Sequence, residues 1–258
     1  MRIAPISIKF SSAVNLQKSN FSKVFSSTEC DKVQFTGKNQ ENHKTVVVLL
    51  GAPNSGKGTY AREITKKYGI PQISTGDILR NEVKNQTKLG LEAKSYMDSG
   101  DLVPDDVIMQ IFEKRISQDD CKKGFILDGF PRTIDQAKKL ETILDKENNL
   151  SLKIINLDVD ESILYERCAN RYMCDSCSKT HSLKDVKNVE DVKCDCGGNL
   201  IKRKDDTVEV LAVRLKNYSA QTRPLIDYYG DSVSFIEVHG QDRPVDDILL
   251  DVYSKIDE

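Results

Sequence analysis

The chain is 258 residues long, 38% apolar and 30% charged, with a formal net charge of −2. That length and balance suit one large α/β domain with insertions. They give no general electrostatic case for nucleic-acid or membrane binding, leaving only local basic clusters. No uninterrupted apolar run reaches membrane-spanning length.

Residues 1–44 differ from the rest: they are serine-rich, lack any acid before Glu29, and carry Arg2, Lys9, Lys18 and Lys23. This composition predicts a flexible extension. An organelle transit peptide shares the serine content and the lack of acids, but normally carries more arginine and a clearer amphipathic helix; a disordered bacterial extension is the other reading. The first firm element follows. Val46-Val47-Val48-Leu49-Leu50 is the pattern of a strand covered on both faces, and it runs into Gly51-Ala52-Pro53-Asn54-Ser55-Gly56-Lys57-Gly58-Thr59. The glycines let backbone N–H groups face a polyphosphate, and Lys57 adds a point charge for its terminal phosphates. Gly58 stands where a Ser or Thr usually follows the lysine, with the hydroxyl one residue later on Thr59. A charged segment with helical apolar spacing, 60–68, completes the strand–loop–helix setting that this motif needs.

Residues 70–77 predict a short extended piece and an N-cap, with helix from Ile78 onward and a second helix over 89–99. Asp101-Leu102-Val103-Pro104-Asp105-Asp106 breaks the chain and restarts a helix through Arg115, its acids suiting the first turn. Gly124-Phe125-Ile126-Leu127-Asp128 is a second apolar strand, with Asp128 at its carboxyl end. Ligands of open α/β sheets gather outside the carboxyl ends of strands, so Asp128 and Lys57 are expected at one crevice, the carboxylate holding water ligands of Mg²⁺. Arg167 and Arg171, spaced i,i+4, are expected on one helix face. Further strands are predicted at 153–159 and 232–238. Strands alternating with helices imply a doubly wound parallel sheet.

Of the seven cysteines, Cys121 and Cys168 read as small buried hydrophobes, whereas Cys174, Cys177, Cys194 and Cys196 cluster. Four thiolates in two close pairs suit a tetrahedral structural Zn²⁺ better than disulfides, in an insertion too small to build its own core. Iron is chemically possible, and four reduced, unligated thiols are the other reading.

The phosphate loop, Ser74-Thr75-Gly76-Asp77-Ile78-Leu79-Arg80, Asp128-Gly129-Phe130-Pro131-Arg132 and Arg203-Lys204-Asp205-Asp206, in that order, closely resemble the adenylate kinase family of the long, cysteine-bearing lid type. The resemblance covers roughly 45–258. It implies a P-loop core with a small helical nucleoside-monophosphate-binding insertion at 74–103 and a zinc-ribbon-like lid at 170–207. The activity it implies is reversible transfer of the terminal phosphoryl group of ATP to AMP, giving two ADP, with Mg²⁺.

By that resemblance, Lys57, Asp128, Arg132, Arg171, Arg203 and Arg214 serve the transferring phosphoryl group. Asn54, Ser55, Gly56, Lys57, Gly58, Thr59, Arg167 and Arg171 bind ATP, with Thr180, His181 and Asp242 near its adenine or ribose. Thr75, Arg80, Asp101, Leu102, Val103, Gly129, Phe130, Pro131, Arg132, Gln136, Arg203 and Arg214 form the AMP site: arginine forks grip phosphate, and the amide of Gln136 can pair with an adenine edge. Relatives preferring UMP or CMP tend to carry Ala in place of Thr75, so the threonine favours AMP; a nucleoside monophosphate kinase acting on UMP, CMP or GMP is the alternative, with Thr75 and Gln136 together placing AMP first. The lid is expected to close over ATP and exclude water; lids of this family are an established case of such gating.

The chain departs from the family pattern at Asn54, where glycine is usual, and at Cys194-Asp195-Cys196, where relatives have two residues between the pair, so that one zinc is reached only through a tighter turn. Family likeness prefers zinc to iron, a monomer, and the cytoplasm; a mitochondrion or plastid is the alternative if the extension is a transit peptide. A non-catalytic nucleotide-binding zinc-ribbon module on RNA or DNA is the competing class. It is disfavoured because Asp175, Asp185, Glu190, Asp191 and Asp195 dilute the lysines around the cysteines, and no aromatic stacking set accompanies them.

Overall fold

A computed structural model describes residues 44–147, 149–184, 189–237 and 244–258. The predicted extension, save Lys44, lies outside the described residues, as do Cys30 and Asp242. β1 (Lys44–Gly51) leads to α1 (Lys57–Tyr68), β2 (Gln72–Ser74), α2 (Thr75–Lys84), α3 (Lys88–Ser99) and α4 (Asp105–Ile116). β3 (Gly124–Asp128), α5 (Ile134–Leu144), β4 (Leu150–Asp158) and α6 (Glu161–Asn170) follow. Then come β5 (Arg171–Cys174), β6 (Thr180–Ser182), β7 (Leu200–Ile201), α7 (Val208–Asn217), a π-helical turn at Tyr218–Thr222, α8 (Pro224–Tyr229), β8 (Val233–Glu237) and α9 (Val245–Asp257).

The main sheet is parallel throughout, in the order β2-β3-β1-β4-β8. The continuous branched run of β1 has the expected meaning: Val46, Val48 and Leu50 face one apolar layer and Val47 and Leu49 the other. The first layer takes Phe112 of α4, Leu140 of α5 and Leu225 of α8; the second takes Ile64 of α1 and Val252 of α9. Cys121 and Cys168 are buried. Pairing of Leu49 with Asp128 brings the carboxyl ends of β1 and β3 side by side, so the phosphate loop and Asp128 open at the same edge.

Side-chain caps set the starts of several helices. Ser74 accepts from the Asp77 N–H at 3.3 Å, Thr87 from Gly90 at 3.0 Å, and Thr207 from Val210 at 3.2 Å. One expectation fails here. α6 stops at Asn170, and Arg171 is extended (φ −79, ψ 128) and opens β5, so Arg167 and Arg171 do not share a helix face. Antiparallel pairing of Arg171 with Ser182 has replaced the next helical turn as the source of backbone hydrogen bonds. β5, β6 and β7 make a separate small sheet in the order β6-β5-β7, over a core of only Cys174, Cys194 and Leu200 with partly buried Tyr172, Leu183, Val189 and Val192.

Phe112 is fully buried, stacked on Phe130 with ring centroids 4.4 Å apart and edge-on to Phe125 at 6.4 Å. It supports the turn between β3 and Arg132 from beneath. Phe112→Ala is expected to cost about 3–5 kcal/mol and to lower Tm by roughly 10 °C. A melt followed by circular dichroism checks this, and an unchanged Tm would contradict the packing argument.

Candidate functional site

The phosphate loop wraps the Lys57 ammonium, which donates to the Gly51 and Ala52 carbonyls at 2.7 Å each and to Ser55 Oγ at 3.3 Å. Burial pushes this lysine down to about 8. The Asp128 carboxylate opposes the shift, and the Arg132 and Arg171 cations add to it. Asn54 takes a left-handed backbone angle (φ 66), which asparagine tolerates better than most side chains. Its Nδ2 donates to Leu164 O at 3.4 Å, and Arg167 donates to the Asn54 and Ser55 carbonyls at 3.4 and 2.9 Å. The loop is therefore tied to α6 from two sides.

Asp128 is partly buried at the end of β3 and accepts from Gln72 Nε2 at 2.8 Å; burial raises its carboxyl pKa against the pull of Lys57. At the position where a hydroxyl residue usually follows the lysine, a Cβ on Gly58 would lie 3.3 Å from Asp128 Oδ2, and the carboxylate would have to shift by a few tenths of an ångström to admit it.

Around the opposite wall stand Arg80, Arg132, Arg171, Arg203 and Arg214. Asp77 accepts from Arg80 at 2.5 and 3.2 Å and lies 3.8 Å from Arg203. Asp205 accepts from Arg214 at 2.6 Å and lies 3.9 Å from Arg80; Asp206 accepts from Arg171 Nε at 2.7 Å. The Asp77 and Asp205 carboxyls fall below their ordinary range because these cations outweigh burial. Arg132 makes no ion pair among the described residues and donates instead to the Gly129 carbonyl at 2.9 Å. Burial, with Arg214 and Arg80 nearby and Asp128 opposing, lowers its pKa to about 10. Arg203 is likewise lowered to about 10, by burial and then by Arg80 and Arg171. Cations crowded this way favour an anion between them.

One cavity of about 460 Å³ joins these walls. Its polyphosphate end is lined by Asn54, Gly56, Lys57, Gly58, Thr59 and Arg167, and it extends toward Thr180 and His181 on one side and Thr75, Asp101, Leu102, Val103, Gly129, Pro131 and Gln136 on the other.

The family model described as adenylate kinase matches residues 49–233. The chain belongs to the adenylate kinase family. It is 45% identical over 195 residues to the adenylate kinase of Clostridium tetani, covering 75% of this chain and 90% of that protein. The adenylate kinase of Caldicellulosiruptor saccharolyticus is 46% identical over 201 residues, 78% of this chain and 94% of its own. That of Methanosarcina mazei is 46% identical over 195 residues, 75% and 90%. As an adenylate kinase the chain is a nucleotide-binding transferase that moves a phosphoryl group reversibly between ATP and AMP.

Two residues named from the adenylate kinase resemblance do not line the cavity. Ser55 is fully buried beneath the loop, and Phe130 is core, stacked on Phe112. Thr75 is buried with its hydroxyl donated to Gly129 O at 2.9 Å. Sequence reasoning missed Gln72, Asn217, Tyr218, Thr222 and Val245, which also line the cavity. It also gave Asp77, Asp205 and Asp206 no role, although acids two and three places after Arg203 were a visible sign of arginine partners.

The cysteines converge. The sulfurs of Cys174, Cys177, Cys194 and Cys196 all lie within 4.8 Å of one another, with Cys174–Cys196 at 3.4 Å and Cys177–Cys194 at 3.5 Å, spacings that a tetrahedral metal–thiolate site requires. The short Cys194-Asp195-Cys196 pair reaches the cluster through a tight turn. Gly197 N–H donates to Cys194 O at 2.7 Å with φ +85, and a Cβ at Gly198 would lie 2.5 Å from Cys174 Sγ. These thiols can hold a metal ion. His181 Nε2 sits 3.3 Å from Cys194 Sγ, between the cluster and the cavity. Among the described residues no helix is long and apolar enough to cross a membrane.

The Lys57 shift has a checkable sign. Its pKa in the fold is about 8 against an ordinary 10.5, so between those values the unfolded chain holds a proton that the folded chain has released. This group therefore adds stability as pH rises through that window. Acetic anhydride labelling across pH, without added nucleotide and read by peptide mass, is expected to place the Lys57 midpoint near 8. A midpoint above 10 would refute the burial effect.

Proposed function

We propose a division of labour in this site for ATP:AMP phosphoryl transfer, supported above all by the convergence of Lys57 with Arg132, Arg171, Arg203 and Arg214 on one cavity. The loop 54–59 cradles the ATP polyphosphate with its N–H groups, and Lys57 exchanges its carbonyl partners for phosphate oxygens. Arg167 keeps the loop in shape through the Asn54 and Ser55 carbonyls. Arg80 and Arg132 hold the AMP phosphate, and Arg171, Arg203 and Arg214 stabilise the charge spread over the moving group. Little covalent work falls to the protein, so positioning and charge carry the rate. Mg²⁺ accompanies ATP and neutralises its phosphate oxygens, and the Asp128 carboxylate, which lines the cavity and is bonded to Gln72, is the group that suits its water ligands.

Thr180 and His181 lie toward the ATP base, and Thr75 and Gln136 toward the AMP base, with the backbone of Asp101, Leu102 and Val103 beside it. Segment 74–103 is assigned as the AMP-binding insertion and 170–207 as the lid. The nucleotides ATP, AMP and ADP are the proposed substrates of a cytoplasmic monomer. In an acceptor screen with ATP, AMP is expected to rank above UMP, CMP and GMP, and Lys57→Ala to lower kcat by about 10²–10³. A pyrimidine or guanine nucleotide ranking first would overturn the acceptor assignment.

Cys174, Cys177, Cys194 and Cys196 are proposed to hold a structural Zn²⁺ that makes the lid rigid, a reading supported by the small apolar content beneath that sheet. Chelation is expected to lower Tm while initial turnover at low temperature stays within about twofold. Immediate loss of turnover in a protein that remains folded would show a metal engaged in chemistry.

A further inference from the structure

Gln136 is only 2% exposed, on the cavity wall near the start of α5, and both ends of its amide are already engaged. Its Oε1 accepts from the backbone N–H of Arg132 at 2.8 Å, and its Nε2 donates to Asp105 Oδ1 at 2.6 Å. A backbone N–H only donates and a carboxylate only accepts, so the chemistry of these neighbours fixes which end is oxygen and which is nitrogen. Asp105 is itself held: Thr133 Oγ1 donates to its other oxygen at 3.1 Å, and the same hydroxyl accepts from Gln136 N at 3.1 Å, capping α5. Turning the amide over would set N–H₂ against N–H and oxygen against carboxylate. Two buried polar groups would then be left unsatisfied.

What remains available to a base is one Nε2 hydrogen and one Oε1 lone pair, in a fixed order. Adenine presents an N6 amine donor beside a ring-nitrogen acceptor, which matches one order of an amide. A 6-oxopurine presents an O6 acceptor in place of that amine, so in the same pose it meets oxygen with oxygen. A freely rotating amide would pair with either. From the assignment of Gln136 to the AMP base, on which this step rests, we propose that Asp105 is a positioning residue that sets adenine-over-6-oxopurine specificity by locking the Gln136 amide against rotation. Asp105 need not touch the nucleotide to do so. It lines a separate groove beside the main cavity.

The test uses AMP and IMP as acceptors with ATP, because hypoxanthine differs from adenine in hydrogen-bond order with little change in size. In Asp105→Asn, whose amide can serve either orientation of Gln136, and in Asp105→Ala, which removes the carboxylate and leaves only the Arg132 N–H to orient the amide, the AMP/IMP ratio of kcat/KM is expected to fall about tenfold. Only folded molecules turn over, so the ratio is insensitive to how much of a variant folds. Parallel loss of both activities at an unchanged ratio would overturn the lock. Gln136→Ala separates the two layers of the argument. A raised KM for AMP supports the base assignment, while a wild-type KM and ratio in this variant would remove the assignment and the lock together.

Discussion

The site depends on like charges held at close quarters. Arg80, Arg132, Arg171, Arg203 and Arg214 would push one another apart, and burial first, then the neighbouring cations, lower Arg132 and Arg203 from the ordinary arginine value. Three carboxylates restrain all of them but Arg132, which is held by the Gly129 carbonyl. Asp77 lies at the start of α2, and Asp205 and Asp206 lie between the small sheet and α7, so the ion pairs that contain the repulsion also tie these elements to one another. Paired cations in a partly buried site are costly to separate from their partners, which keeps the guanidinium groups aimed inward.

Much of this was legible in the residues. The branched run of β1, the glycine loop, the acids that begin α4 and the apolar strand ending at Asp128 carry their own physical signatures, and each element forms where those signatures put it. Arg171 was misread because i,i+4 spacing specifies a helix face only while the helix lasts. Nothing local in Ala169-Asn170-Arg171 announces that a β-ladder with Ser182 is the better bargain for its backbone. The Cys194-Asp195-Cys196 spacing looked too short for the same reason in reverse: sequence distance is a poor guide where Gly197 and Gly198 permit a turn closed to most residues. The pairing of arginines with Asp77, Asp205 and Asp206 is tertiary, and charge type alone does not reveal partners.

The small sheet differs in kind from the main one. The five parallel strands bury apolar side chains on both faces, whereas β5, β6 and β7 cover a handful of residues, with Cys174 and Cys194 making up two of the three buried ones. Its order rests on the thiol cluster and on tight turns more than on apolar area. An element with so little apolar area behind it can move as a unit while the main sheet stays fixed.

The adjacency of Asp205 and Asp206 has a further consequence. Because these neighbours hold Arg214 and Arg171 while Asp77 holds Arg80, an anion entering the cleft competes with several carboxylates at once. A monovalent anion replaces at most one of them and leaves the rest in place, whereas a chain of phosphates engages many guanidinium groups together. Ion pairing of this kind favours an anion that can meet several guanidinium groups at once over one that can meet a single group.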